Sequence, residues 1–144
     1  NLAIADFMSG NLTDAKAKFE ESQSATVNPV NQDYSLGMFT ILNGDYTKAA
    51  QMMNNKSCDY NTALVQLLNK DYISAKTTLN CIQNPDAKTY YLKAVLATRT
   101  KVESEVYSNL ESAIKADASL KATAKKDAEF KRYRHSDTFK NLVK

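Results

Sequence analysis

The chain has little of what a β-protein, a membrane span or a metal centre needs. Three glycines and two prolines in 144 residues leave few turns, which argues against a β-sandwich and suits a mostly helical protein. No apolar run approaches the roughly 20 residues of a membrane-spanning helix. There is one histidine, His135, and it follows Arg134 at the end of a helical stretch, so it reads as a surface or capping residue rather than a general base. Two cysteines and one distant histidine do not make a zinc ligand set. No phosphate-binding loop, nucleophile elbow or dinucleotide fingerprint occurs, so neither a cofactor nor catalysis is expected. The first residue is Asn, and the chain opens inside an apolar pattern of Leu2, Ile4, Phe7 and Met8. It is therefore read as part of a longer protein, and the lack of a leader says nothing about its address.

Charge is the next restriction. The net charge of +3 is uneven: residues 115–144 hold nine Lys or Arg against four acids, and the rest of the chain has ten against twelve. A basic end can be a nucleic-acid footprint. Here the cations alternate at helical spacing with Asp127, Glu129, Phe130 and Tyr133, which predicts the solvated face of a terminal helix and no nucleic-acid partner.

What is present is a recurring corner. Asn43-Gly44-Asp45-Tyr46-Thr47-Lys48-Ala49 reads as a helix end, a cap and a new apolar face. Gly44 supplies the permissive backbone, and Asp45 caps the helix that follows. The pattern returns around Gly10, around Lys70-Asp71-Tyr72 and, more divergently, around Lys101-Val102. These corners are 34, 26 and 31 residues apart. Apolar spacing then predicts helical hairpins at about 1–25, 31–54, 59–82 and 87–116. One long helix is expected over Ser119–Arg134, and a short last helix capped by Ser136, within terminal capping helices spanning 119–143.

Leu36-Gly37, Gly44-Asp45-Tyr46 and Ala49 together resemble the tetratricopeptide signature, and the first corner spacing matches that family's period. Ala63 and Ala94 take the Gly37 position in the next two units, and Ala75 takes that of Ala49. The third unit departs from the pattern, with Thr62 and Gln66 at usual packing positions. The C-terminal stretch is similar to the helical ends of repeat proteins from Gram-negative envelopes. The resemblance implies an all-α, right-handed solenoid of about four hairpins with a C-terminal cap. It also implies a non-enzymatic binding module of the bacterial envelope or periplasm.

In such proteins the first helix of each hairpin lines a concave groove. The register then puts Tyr34, Tyr60 and Tyr91 at one level, Met38, Leu64 and Val95 at the next, and Ile41 and Leu67 beyond them, with Arg99 on the wall. The expected function is capture of a peptide or helix of a partner protein in this groove. The alternatives are a structural spacer whose stripe is covered internally, by the C-terminal helix or another part of the full-length protein, and, further off, an accessory domain of an enzyme.

Cys58 and Cys81 lie twelve residues before and eleven after Lys70, so both come to the open end of the third hairpin. Two readings stand: a disulfide closing a loop of about twenty residues, worth on the order of 3 kcal/mol, or two buried free thiols.

Overall fold

The computed structural model describes residues 12–22, 37–38, 40–41, 43–53 and 57–144. The first helix of the first expected hairpin, the Gly10 corner, Tyr34 and most of the helix expected over 31–42 lie outside them. Among the described residues there are only helices and turns: α1 (Leu12–Ser22), α2 (Tyr46–Met52), α3 (Tyr60–Leu68), α4 (Tyr72–Cys81), α5 (Ala87–Thr100), α6 (Glu103–Ala116), α7 (Leu120–Lys126), a 3-10 turn (Ala128–Phe130) and α8 (Asp137–Leu142). Residues 37, 38, 40 and 41 are also helical.

The corners explain why the helices stop where they do. Gly44, Lys70 and Lys101 all adopt positive φ, at 79°, 64° and 61°. At each corner two amides fold back onto the helix just ended. Gly44 and Asp45 donate to the carbonyls of Ile41 and Thr40, Lys70 and Asp71 to those of Leu67 and Gln66, and Lys101 and Val102 to those of Thr98 and Ala97. This pairing satisfies carbonyls that a helix end would otherwise orphan. Asp45 and Asp71 then cap the next helix through the amides of Lys48 and Ser74, both at 3.1 Å. Hydrogen bonds from the Ser74 side chain and amide hold the Asp71 carboxyl below its ordinary pKa. The third corner has Val102 at the cap position, with no side-chain hydrogen bond.

Only the first of these corners spends a glycine on its left-handed residue. An L-residue there costs about 1–2 kcal/mol, partly offset because glycine gives the unfolded chain more freedom to lose. Lys70→Gly and Lys101→Gly are therefore expected to stabilise the fold by about 0.5–1 kcal/mol each, read as a higher urea midpoint at unchanged m-value. A lower midpoint at both positions would contradict the corner geometry.

Small residues set the approach of the helices. Ala63 and Ala94, seven residues before Lys70 and Lys101, are fully buried, as are Ala49, Ala75 and Val106, five residues after each corner. A Cβ on Gly37 would stand 2.6 Å from Cγ of the buried Met53. From α2 to α6, helix neighbours in sequence are neighbours in space, with α5 and α6 packed together most extensively, α3 and α4 next, and α2 on α3 and α4 on α5 linking them. The main core joins Leu67, Leu79, Leu92, Leu96, Leu110 and Phe130, among others. A smaller cluster of Ala49, Met53 and Val65 takes Met38 and Ile41 at its edge. Thr62 and Gln66 are buried as well.

The C-terminal stretch departs from expectation. The single helix predicted over Ser119–Arg134 ends at Lys126. Asp127 adopts an extended backbone (ψ 125°), and its carboxylate accepts the Glu129 amide at 2.9 Å. The chain then turns tightly, so that Phe130 and Tyr133 face inward, 0% and 6% exposed. The Arg134 guanidinium donates to the Asp127 carbonyl at 2.7 Å and closes this turn on itself. Ser136 caps α8 through the Phe139 amide, and α8 packs on α6.

Candidate functional site

The expected groove runs along α3 and α5, and the structure gives its residues unequal surroundings. Met38 and Ile41 are half-buried at the edge of the smaller cluster. Tyr60 and Leu64 are half-buried against the main core. Burial, and then the nearby Asp86 carboxylate, push the Tyr60 phenol above its ordinary pKa. Leu67 and Val95 are inside the core, 1% and 8% exposed, and offer no open surface. Tyr34 lies outside the described residues.

Tyr91 and Arg99 are engaged by the chain itself. The Tyr91 hydroxyl donates to the Asp127 carboxylate at 2.7 Å, and its ring meets Phe130 edge to face at 5.5 Å. Burial, with the Asp127 hydrogen bond next in weight, raises the Tyr91 pKa well above the ordinary phenol value. Arg99 forms a two-pronged ion pair with Glu129, Nε to Oε2 at 3.2 Å and Nη2 to Oε1 at 2.5 Å. Its Nη1 also donates to the Leu67 carbonyl at 3.4 Å. Both partners are about three-tenths exposed, and the Glu129 hydrogen bonds hold the guanidinium pKa above its usual value. A forked, partly desolvated Arg–carboxylate pair fixes orientation as well as adding attraction. Behind it, Tyr107 shares a hydrogen bond of 2.9 Å with Ser136 and meets Tyr133 edge to face at 5.9 Å. The residues from Asp127 to Tyr133 thus lie over the face of α5 that the groove register had assigned to a partner.

The sequence reading offered the C-terminal helix as one alternative cover for the stripe but did not single out Asp127, Glu129 and Phe130 as the residues that meet Tyr91 and Arg99. One local signal was there: Asp-x-Glu before an aromatic is a cap and a break as readily as a helix interior.

The Cys58 and Cys81 sulfurs are bonded, with their Cα atoms 5.4 Å apart. Cys58 immediately precedes Asp59, the cap of α3, and Cys81 is the last residue of α4. The bridge therefore ties the open end of this hairpin, opposite the Lys70 corner. Both cysteines are exposed.

On another side of the molecule, a crevice of about 130 Å³ lies between α4, α5 and α6. Leu79 and Leu96 line it, and Lys76 bridges its rim to Glu105 at 2.8 Å with both side chains nearly half exposed. That pair contributes little to stability at such exposure. Among the described residues no group of three or more His, Cys, Asp and Glu could hold a metal, and no helix is long and apolar enough to cross a membrane.

No family model, curated protein or solved structure matches the chain.

Proposed function

We propose that this chain is a non-enzymatic helical-repeat scaffold of the tetratricopeptide kind, serving as a structural spacer within a larger envelope protein. The observation that carries this reading is the seating of Asp127, Glu129 and Phe130 on Tyr91 and Arg99. A groove built to take a partner would leave its aromatic and cationic contacts open. Here the terminal segment uses them, and it does so with complementary charge and with a ring that is 0% exposed. The disulfide supports a compartment where thiols oxidise, since such bonds are rare in the reducing cytosol. Rigid stacking, a stapled hairpin and a capped end together suit a part that holds other domains at fixed separation.

A second reading, capture of a peptide or helix of a partner protein, is favoured by the half-buried state of Met38, Ile41, Tyr60 and Leu64. Such a partner would use the α3 end of the stripe and leave Tyr91 to the cap.

Amide hydrogen exchange tests the spacer reading. The amides of Lys131, Tyr133 and Arg134, all hydrogen-bonded to backbone carbonyls, are expected to be protected to nearly the same extent as those in the middle of α5. Exchange at the rate of an unstructured segment, with α5 still protected, would overturn the reading and return Tyr91 and Arg99 to an outside partner.

A further inference from the structure

The turn that covers α5 has a second face. Between Lys121 and His135 the chain carries six Lys or Arg and two acids. Both acids are committed inward: Asp127 to the Tyr91 hydroxyl and the Glu129 amide, Glu129 to Arg99. Arg134 is spent on the Asp127 carbonyl. Ala124, Phe130 and Tyr133 are the buried anchors of the segment. Lys125, Lys126, Lys131 and Arg132 alternate with these anchors, are exposed, and have no acidic partner within ion-pair distance among the described residues. The fold has sorted the charges of this segment, taking its carboxylates inside and leaving its cations outside.

We infer that this cationic face is a docking surface for the anionic headgroups of a phospholipid membrane, holding the scaffold flat against a bilayer without inserting into it. The chemistry of the patch selects this occupant. A protein interface concentrates its energy in buried aromatic and apolar anchors, and here Phe130 and Tyr133 face the core instead. The one strongly exposed large apolar side chain among the described residues is Ile73, on α4. Single-stranded nucleic acid asks for aromatic rings on which bases stack, and the patch presents none. The Cys58–Cys81 bridge further argues for an oxidising compartment, where lipid rather than nucleic acid is the abundant polyanion. A headgroup plane needs only several cations at one surface, each adding attraction that falls off within a screening length.

The test is co-sedimentation of the whole chain, disulfide intact, with vesicles of phosphatidylcholine alone or mixed with phosphatidylglycerol. Binding is expected to the mixed vesicles at low salt, to be lost at high salt, and to be absent on phosphatidylcholine alone. Lys126→Gln/Lys131→Gln should weaken it by about tenfold or more, given the attraction each cation contributes near such a surface. The charge-matched control Lys48→Gln/Lys88→Gln removes two exposed cations elsewhere and should leave binding close to wild type. All of these side chains are exposed, and circular dichroism checks that each variant folds. No binding to the mixed vesicles at low salt would overturn the inference. So would equal losses in the two double variants, or tighter binding to duplex DNA at matched charge concentration.

Discussion

Phe130→Ala is expected to cost about 3–5 kcal/mol, the largest loss of any single truncation proposed for this chain. The ring is fully buried in the main core, 5.5 Å from the Tyr91 ring and 5.8 Å from that of Phe139. Removing it deletes the apolar area and leaves a cavity between α5 and α8 that the tight turn from Asp127 to Arg134 cannot collapse to fill. The loss should also be visible locally. The Tyr91–Asp127 hydrogen bond and the Arg99–Glu129 pair sit on the same short turn, so exchange protection at Lys131 and Tyr133 should fall more than protection in α3 and α4. Phe130→Leu keeps most of the apolar volume and should lose much less. If Phe130→Ala shifted the urea midpoint no more than a surface substitution, the C-terminal turn would not be part of the core.

The corners were readable because they repeat a physical need. A helix end with a reversed chain calls for one residue at positive φ and one capping side chain. Gly44-Asp45 and Lys70-Asp71 supply both, while Lys101-Val102 supplies the first alone. The register pairs Ala63 with Ala94 and Ala49 with Ala75, and all four are fully buried. Lys70 and Lys101 were recoverable only through that alignment, since nothing in a lone lysine announces a left-handed backbone.

The groove was less readable for a reason that lies in the helix itself. An apolar stripe is a broad face, and residues four apart on it share an edge without sharing an environment. Leu64 and Leu67, three apart on α3, show the same divergence, the first half-buried and the second inside the core. Which edge is covered depends on what crosses it, and for α5 the crossing segment comes from 36 residues downstream, Tyr91 to Asp127. The same long-range contact explains the misread helix over Ser119–Arg134. Ala, Lys and Glu there are good helix formers, so local propensity favours continuation. Turning at Asp127 lets the chain place one carboxylate on a phenol, the next on a guanidinium and an aromatic ring in the core. Tertiary contacts outweigh a few tenths of a kcal/mol per residue of propensity.

Replacing the bridge, as Cys58→Ser/Cys81→Ser, is expected to cost about 3 kcal/mol. The bonded residues are 23 apart in sequence, and closing a loop of that size in the unfolded chain carries an entropy that the bridge removes beforehand. For a chain near this length the change should lower the thermal midpoint by roughly 10 °C. The position of the bond sharpens the expectation. α3 and α4 are joined at Lys70 by a tight corner, but their other ends are held together by the bridge, and the packing positions of α3 include Thr62 and Gln66. Among the described residues the buried Gln66 side-chain oxygen has no hydrogen-bond partner, and α3 and α4 pack together less extensively than α5 and α6, so this hairpin is held less firmly by its own packing than that one. The reduced wild type should therefore unfold with the same midpoint as the double serine variant. Hydrogen exchange in α3 and α4 should rise before that in α5 and α6, because the staple acts on α3 and α4, the less extensively packed of the two hairpins. Equal midpoints for oxidised and reduced protein would mean that the bridge adds nothing to the fold, and that the α3–α4 packing suffices alone.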